Sequence, residues 1–389
     1  MAMPLNESSK YWSTIFCLSD RQLIPTRRCE IDGVHIGMHA FVVQEPDPRW
    51  DAYVLGHPGG TFFHQWKWRE VIATSFGYQP VYLCAEESGD IRGILPLFLV
   101  RSLLFGRSLV AVPLAVYGGV LASTAAAETI LLEKAIALGT QHGAKYLELR
   151  GNPHVPPVLS TNGADGRPSA GQKDLYVTFL GEIDPDHEVN LSRIPRKQRR
   201  MVRQGEKHGL RFSCDKSRLR EFYQVYASSV RNLGTPVFGY PYFENIVETF
   251  GDQCEVFLVD FQDKAVAAVL VFFYKDQVLP YYGGALREYF HLAPSDFMYW
   301  ELMKYGAGEG FKTFDFGRSK KGTGSFDFKR HWGFEPRPLP YFYHQIKDSA
   351  IPDTSSLNPK LQWAVRIWRN LPLKLTMVLG PRIVRHSIP

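Results

Sequence analysis

Cysteine is scarce in this chain. Five of its 389 residues are Cys (Cys17, Cys29, Cys84, Cys214 and Cys254), far apart and with no C-x-x-C pair. That pattern argues against a structural zinc site or a disulfide scaffold and fits a reducing compartment. No metal is expected. H-E-x-x-H, G-x-S-x-G and G-x-G-x-x-G are all missing, so zinc-protease, α/β-hydrolase and dinucleotide readings lose their usual support. The phosphate loop G-x-x-x-x-G-K-[ST] is missing too, which disfavours nucleotide hydrolysis. Long apolar runs are also lacking: the most hydrophobic stretch, Ile91 to Ala122, is broken by Arg101, Arg107, Pro113 and Gly118-Gly119, and reads as buried strands and a helix. The opening MAMPLNESSKYWS has no cationic segment leading into an apolar one, so no secretory signal is visible and a cytoplasmic protein is expected.

What is present is a globular composition, with 45% hydrophobic and 22% charged residues, 33 Gly and 26 Pro. The length favours two domains. Net charge is only +6, but it is unevenly placed. Between Arg193 and Arg211 eight Arg and Lys face a single acid, Glu206, and the last 31 residues hold six basic residues and no acid.

The chain reads twice through one order of elements. VYLCAEESGDIRGILPLFLVR is a hairpin, residues 124–142 a helix capped by Thr124 and stopped by Gly143, and AKYLELR a strand. After the Pro- and Gly-rich seam at 151–172 comes a second hairpin, VFLVDFQDKAVAAVLVFFYKDQVLPYYGGAL. A helix over 294–309 and the strand KTFDFG follow. Each half carries the string Tyr-Gly-Gly, at 117–119 and 282–284. A duplicated α/β unit is expected. Tyr281 and Tyr282, with Asp296 after the turn, lie on the expected cleft side of the second unit, where they orient a sugar or peptide or simply pack the core.

Pro195 to Gly209 reads as a helix with proline at its start and glycine beyond its end. At 100° per residue Arg196, Arg199, Arg200, Arg203 and Lys207 share a sector about 100° wide. Like charges at such spacings repel, so the stripe, with Arg199, Arg200 and Arg203 at its centre, is read as contact with phosphates of a donor; the bland reading is a solvated linker.

The densest chemistry is FKTFDFGRSKKGTGSFDFKRHWGFEP. A strand ending at Asp315-Phe316-Gly317 runs into a flexible loop whose cations Arg318, Lys320 and Lys321 and whose glycines, Gly322 and Gly324, suit an anion. Phe326, Phe328, Trp332 and Phe334 then anchor a segment holding Lys329 rigidly, as a charge facing a developing oxyanion must be held. The opposing view makes these aromatics core. A carboxylate pair of Asp315 with Glu335 also stays open.

These stretches, with TFFHQWKW, IPRKQRRMVRQGEKHGL and YYGGA, resemble the Fem-type aminoacyltransferases over roughly residues 40–347, most of all the FemAB-like proteins associated with PEP-CTERM and exosortase systems. The resemblance implies two tandem domains of the Gcn5-related N-acyltransferase (GNAT) fold, each a mixed sheet flanked by helices: 40–190, and 191–347 beginning with the basic helix. An N-terminal extension (1–39) and a basic amphipathic tail (348–389) flank them. It implies N-acyl or aminoacyl transfer from acyl-CoA or aminoacyl-tRNA to an amine of an envelope, peptidoglycan-like or exopolysaccharide precursor. No tightly bound cofactor is implied. Lys329 would carry charge at the ester and Asp315 would serve as base. The alternative is a non-catalytic carbohydrate- or lipid-carrier-binding component of an exopolysaccharide or sorting system. A long coiled-coil arm between Arg203 and Tyr281 and a Q/R-x-x-G-x-G/A pyrophosphate loop are both missing, so neither donor is favoured. The tail, rich in Trp, Leu and Arg, suggests peripheral contact with an anionic membrane, with Pro372 and Pro381 cutting it into short pieces.

Overall fold

Hairpins build both halves of the molecule. In the computed structural model, which describes residues 37–102, 106–154, 170–347 and 359–387, the first half runs β1 (His39–Val43), α1 (Pro48–Gly56), α2 (Trp66–Phe76), β2 (Gln79–Glu87), β3 (Asp90–Ser102), β4 (Gly106–Ala111), β5 (Leu121–Ala122), α3 (Ala125–Gln141) and β6 (Tyr146–Arg150). Ser88 and Gly89 turn the β2–β3 hairpin with positive φ (53° and 86°), the backbone twist that a two-residue turn between antiparallel strands requires. Thr124 caps α3 through its side chain, as expected.

β7 (Ala170–Glu182) closes the first half in chain order, and the second half runs α4 (His187–Arg193), α5 (Arg196–Lys207), β8 (Arg211–Cys214), α6 (Leu219–Leu233), α7 (Tyr240–Phe250), β9 (Cys254–Phe261), β10 (Lys264–Tyr274), β11 (Gln277–Ala285), α8 (Pro294–Gly308), β12 (Thr313–Asp315), β13 (Ser319–Lys320), α9 (Gly324–His331) and β14 (Pro336–Gln345). Two helices follow, α10 (Pro359–Asn370) and α11 (Leu373–Ser387). The expected extension lies outside the described residues except for its last three, as do 155–169 of the expected seam; β7 already begins at Ala170.

The sheet runs β1-β2-β3-β4-β6-β14-β7-β12-β11-β10-β9-β8. β4 lies parallel to β6 across α3, and β11 parallel to β12 across α8, so the halves share that order of strand, helix and parallel strand. Their last strands are exchanged. β14, from the end of the second half, pairs antiparallel with β6, while β7, expected in the first half, pairs antiparallel with β12. β7 and β14 then pair with each other and join the described residues of both halves, from Met38 onward, into one compact unit.

The shared Tyr-Gly-Gly string does not mark equivalent positions. Tyr282-Gly283-Gly284 lies inside β11, paired to β10, whereas Tyr117-Gly118-Gly119 lies in the loop between β4 and β5. By their pairing, Leu121–Ala122 against Ile94 and Gly93 correspond to Gly284–Ala285 against Ala268 and Ala267.

The core has three parts. One aromatic-rich cluster spans α2, α6, α7 and the facing strands; a second lies under α5, α8 and α9; a third lies between α3 and β2–β4. His64 is fully buried in the first, and burial pushes its imidazole down to about 3. Pro381 sits inside α11, contrary to the expected break. The helix survives because Gly380 lets it lie directly on the backbone of Val237, where a Cβ would stand 2.5 Å from the carbonyl oxygen, and this docking offsets the lost helical bond.

Candidate active site

Both halves reach one carboxylate at the seam where they share strands. Asp315 ends β12 and is 1% exposed. Its Oδ2 accepts from the Tyr117 hydroxyl at 2.7 Å, and its Oδ1 accepts from the Thr178 hydroxyl at 3.2 Å and the Gly317 N–H at 2.7 Å. Thr178 stands on β7; Tyr117 comes from the β4–β5 loop. The two hydroxyls also bond each other. With Asp315 ionised, two hydroxyl protons must serve three contacts, and a proton on Asp315 would supply the third. In keeping with that count, burial raises the Asp315 pKa against the opposing pull of Tyr117, Gly317 N–H and Lys329.

Lys329 lies on α9, buried, between the ring-bearing Phe328 and Trp332. Its Nζ donates to the carbonyls of Gly317 (3.0 Å) and Arg318 (3.1 Å), leaving one donor of three. Gly317 has φ +70°, the left-handed turn that swings these carbonyls toward the lysine. Burial pushes Lys329 down to about 7; the Asp315 charge pulls the other way, and Arg318 reinforces the fall.

Arg318 is held over the Tyr176 ring at 4.5 Å and donates to the Tyr341 hydroxyl. Among the described residues no carboxylate pairs with it. Arg150, at the end of β6, stands 5.4 Å from the same Tyr341 ring, bonded to Glu148 at 3.1 Å and to the Ala115 carbonyl. β6 carries Glu148 two residues before its last residue, Arg150, and β12 ends at Asp315 with Arg318 three residues beyond; both arginines meet at Tyr341. Tyr281 closes this region by donating to the Leu114 carbonyl at 2.9 Å.

Other expected residues lie elsewhere. Tyr281 is the extra residue of a bulge in β11, so Tyr281 and Tyr282 turn to the same side, their rings 4.7 Å apart; Tyr282 lies in the core, where its hydroxyl meets that of Tyr242 at 2.8 Å. Asp296, in the first turn of α8, accepts from Gln198 and ties α5 down; burial raises its pKa to about 6. The expected flexible loop is strand, turn and helix start: Lys320 pairs with Tyr176 in β13, Gly322 turns with φ +75°, and Gly324 opens α9 behind the Thr323 cap. Lys321 is bonded to Asp174 at 2.9 Å. On α5, Pro195 is the cap and not the first helical residue; Gln198, Val202 and Gly205 face α8, while Arg200 and Arg203 are exposed and Arg199 is half-buried. Among the described residues no hydrogen bond or ion pair links Arg199, Arg200 or Arg203 to Asp315. Glu335 is exposed while Asp315 is buried, so the two do not face each other as a carboxylate pair.

Sequence reasoning missed Tyr117, Thr178, Tyr176, Tyr341, Glu148 and Arg150. The one available signal was the likeness of YLELRG to TFDFGR at the ends of corresponding strands. Among the described residues no group of His, Cys, Asp and Glu could hold a metal ion.

Residues 192–330 match the family described as an acetyltransferase (GNAT) domain. No curated protein is recognisably similar in sequence. Among solved structures, FemX is similar over 78% of this chain and 96% of its own, at 16% identity and a TM-score of 0.56. A tandem GNAT protein from the clavulanic acid biosynthesis pathway, solved without AcCoA, is similar over 81% of this chain and all of its own, at 11% identity and a TM-score of 0.51. Identities this low speak to fold alone. The chain has the tandem GNAT-like α/β fold and is a distant structural relative of the FemAB-like and GNAT-fold acyltransferases.

Proposed function

We propose that the protein transfers an acyl or aminoacyl group from an activated ester or thioester to an amine, with the reaction at the Asp315–Lys329–Arg318 seam. The observation that carries this reading is the buried pair of titratable groups with opposed shifts, Asp315 up and Lys329 down, at the end of a strand in a GNAT-like sheet. In this scheme the amine nitrogen attacks the acyl carbon, the C–N bond forms and the bond to the leaving oxygen or sulfur breaks. The remaining Nζ–H of Lys329 faces the oxyanion, and Asp315 in its ionised form, which Tyr117, the Gly317 N–H and Lys329 favour, takes the amine proton through the Tyr117 hydroxyl and returns a proton to the leaving group. Arg318, which pairs with no carboxylate among the described residues, receives an anionic part of donor or acceptor.

The acceptor we favour is an amine on an envelope or exopolysaccharide precursor, which is what the likeness to Fem-type proteins suggests. Acyl-CoA and aminoacyl-tRNA are the two donor classes to compare, with the α5 arginines as a phosphate contact. The test is turnover of each donor with panels of amino sugars and peptides. Lys329→Ala is expected to lower kcat by roughly 100-fold or more with little change in KM, as for loss of an oxyanion donor. Full-rate turnover by a folded variant would refute the assignment.

A further inference from the structure

The last two helices carry a surface that acyl transfer does not use. They are seated by one side only. Trp368 donates its indole N–H to the Thr235 carbonyl at 3.0 Å, Arg231 donates to the Leu371 carbonyl at 3.0 Å, and the Tyr78 hydroxyl donates to the Arg385 carbonyl at 3.2 Å. Trp368, Thr376 and Val384 are buried beneath them.

The other side is open. Trp363 is 66% exposed, Ile367 53%, Val378 59% and Leu375 42%, and Leu233, whose carbonyl accepts from Arg369, adds another 64% exposed side chain. Among the described residues only Leu55 and Phe290 are comparably large, apolar and exposed outside this region. Trp363 and Ile367 are four apart on α10, with Arg366 beside them; Leu375 and Val378 share the outward side of α11 with Lys374 and Arg382. Residues 359–389 contain six Lys and Arg and no Asp or Glu.

We propose that this face binds the surface of an anionic lipid bilayer, with the exposed Trp, Ile, Leu and Val side chains entering the headgroup region and the basic ones resting on lipid phosphates. Charge and apolar area together select this occupant. A second copy of the chain would set one acid-free basic face against another, and a nucleic acid would leave Trp363, Ile367 and Val378 without an apolar partner. The contact is peripheral: with 12 and 15 residues the helices fall short of the roughly 20 that crossing takes. This inference stands whether or not the transfer reaction does.

Flotation of the full chain with vesicles of phosphatidylcholine alone, and with phosphatidylglycerol added, tests it. Binding is expected to the anionic vesicles only and to weaken as salt rises. The triple variant Arg366→Gln, Lys374→Gln, Arg382→Gln should lose about a hundredfold in partition at low salt, and Trp363→Ser with Val378→Ser should also release the protein. All these side chains are exposed, so an unchanged Tm should accompany both losses. Equal flotation on the two vesicle types, no flotation, or full binding by either variant would overturn the proposal. So would vesicle-free self-association that the same variants abolish, or salt-sensitive RNA retention untouched by the loss of Trp363 and Val378.

Discussion

Lys329 illustrates how much a single buried cation can reveal. Its folded-state pKa, about 7, lies below the unfolded value of 10.5, so between those limits the unfolded chain binds more protons and stability rises with pH. The slope has an upper bound of about 1.4 kcal/mol per pH unit. Denaturant titrations from pH 7 to 10 should therefore show wild type gaining stability relative to Lys329→Met, and parallel curves would contradict the shift. Arg318 yields a trade-off. If it is held without a carboxylate in order to meet an anionic ligand, Arg318→Met should leave the ligand-free protein as stable or raise its Tm, while substrate binding collapses. Lys329 and Asp315 were legible in the sequence because they flank one glycine-bearing strand end. Tyr117 and Thr178 were not, because they stand 198 and 137 residues from Asp315 and only the fold brings them to it. Nor could the pair Tyr281-Tyr282 disclose the bulge in β11 that turns both rings to one side.

Among the elements, α5 shows two faces with separate tasks. Its inner face was invisible behind the arginines, yet it fixes the helix. A Cβ on Gly205 would stand 2.6 Å from Cβ of Phe297 on α8, closer than real contacts allow. Gly205→Ala gains about 1 kcal/mol of helix propensity but should lose about 1–3 kcal/mol to the clash, and we expect a Tm lower by a few degrees by calorimetry. Its outer face predicts something different: Arg199→Gln, Arg200→Gln, Arg203→Gln should weaken donor binding and flatten its salt dependence while Tm holds, and an unchanged binding curve would remove the phosphate role. The glycine-rich segment after β12 misled for a related reason. Residues suited to a mobile loop also suit a tight turn and a helix start, and β7 offered Ser319 and Lys320 a strand to pair with.

Over the whole molecule, the repeated order of hairpin, helix and strand was readable, because each of these elements carries its own local periodicity. The exchange of β7 and β14 was not, because a strand looks the same in sequence whichever edge receives it. One consequence is thermodynamic. Neither half owns a complete sheet, so heating should give a single cooperative transition with equal calorimetric and van't Hoff enthalpies, and chains divided at 190/191 should fold only when both pieces are present. Two resolved transitions would argue for autonomous halves.

The exchange also sets a timetable for synthesis. β6 is complete when the ribosome has added Arg150, but the strand that covers its edge begins at Pro336. At ordinary elongation rates that interval lasts roughly ten to forty seconds. Throughout it the emerging polypeptide presents a bare edge to its neighbours, and a holding chaperone should be found on arrested chains shorter than 336 residues and released from those extended far enough past 345 to bring the last strand out of the ribosome.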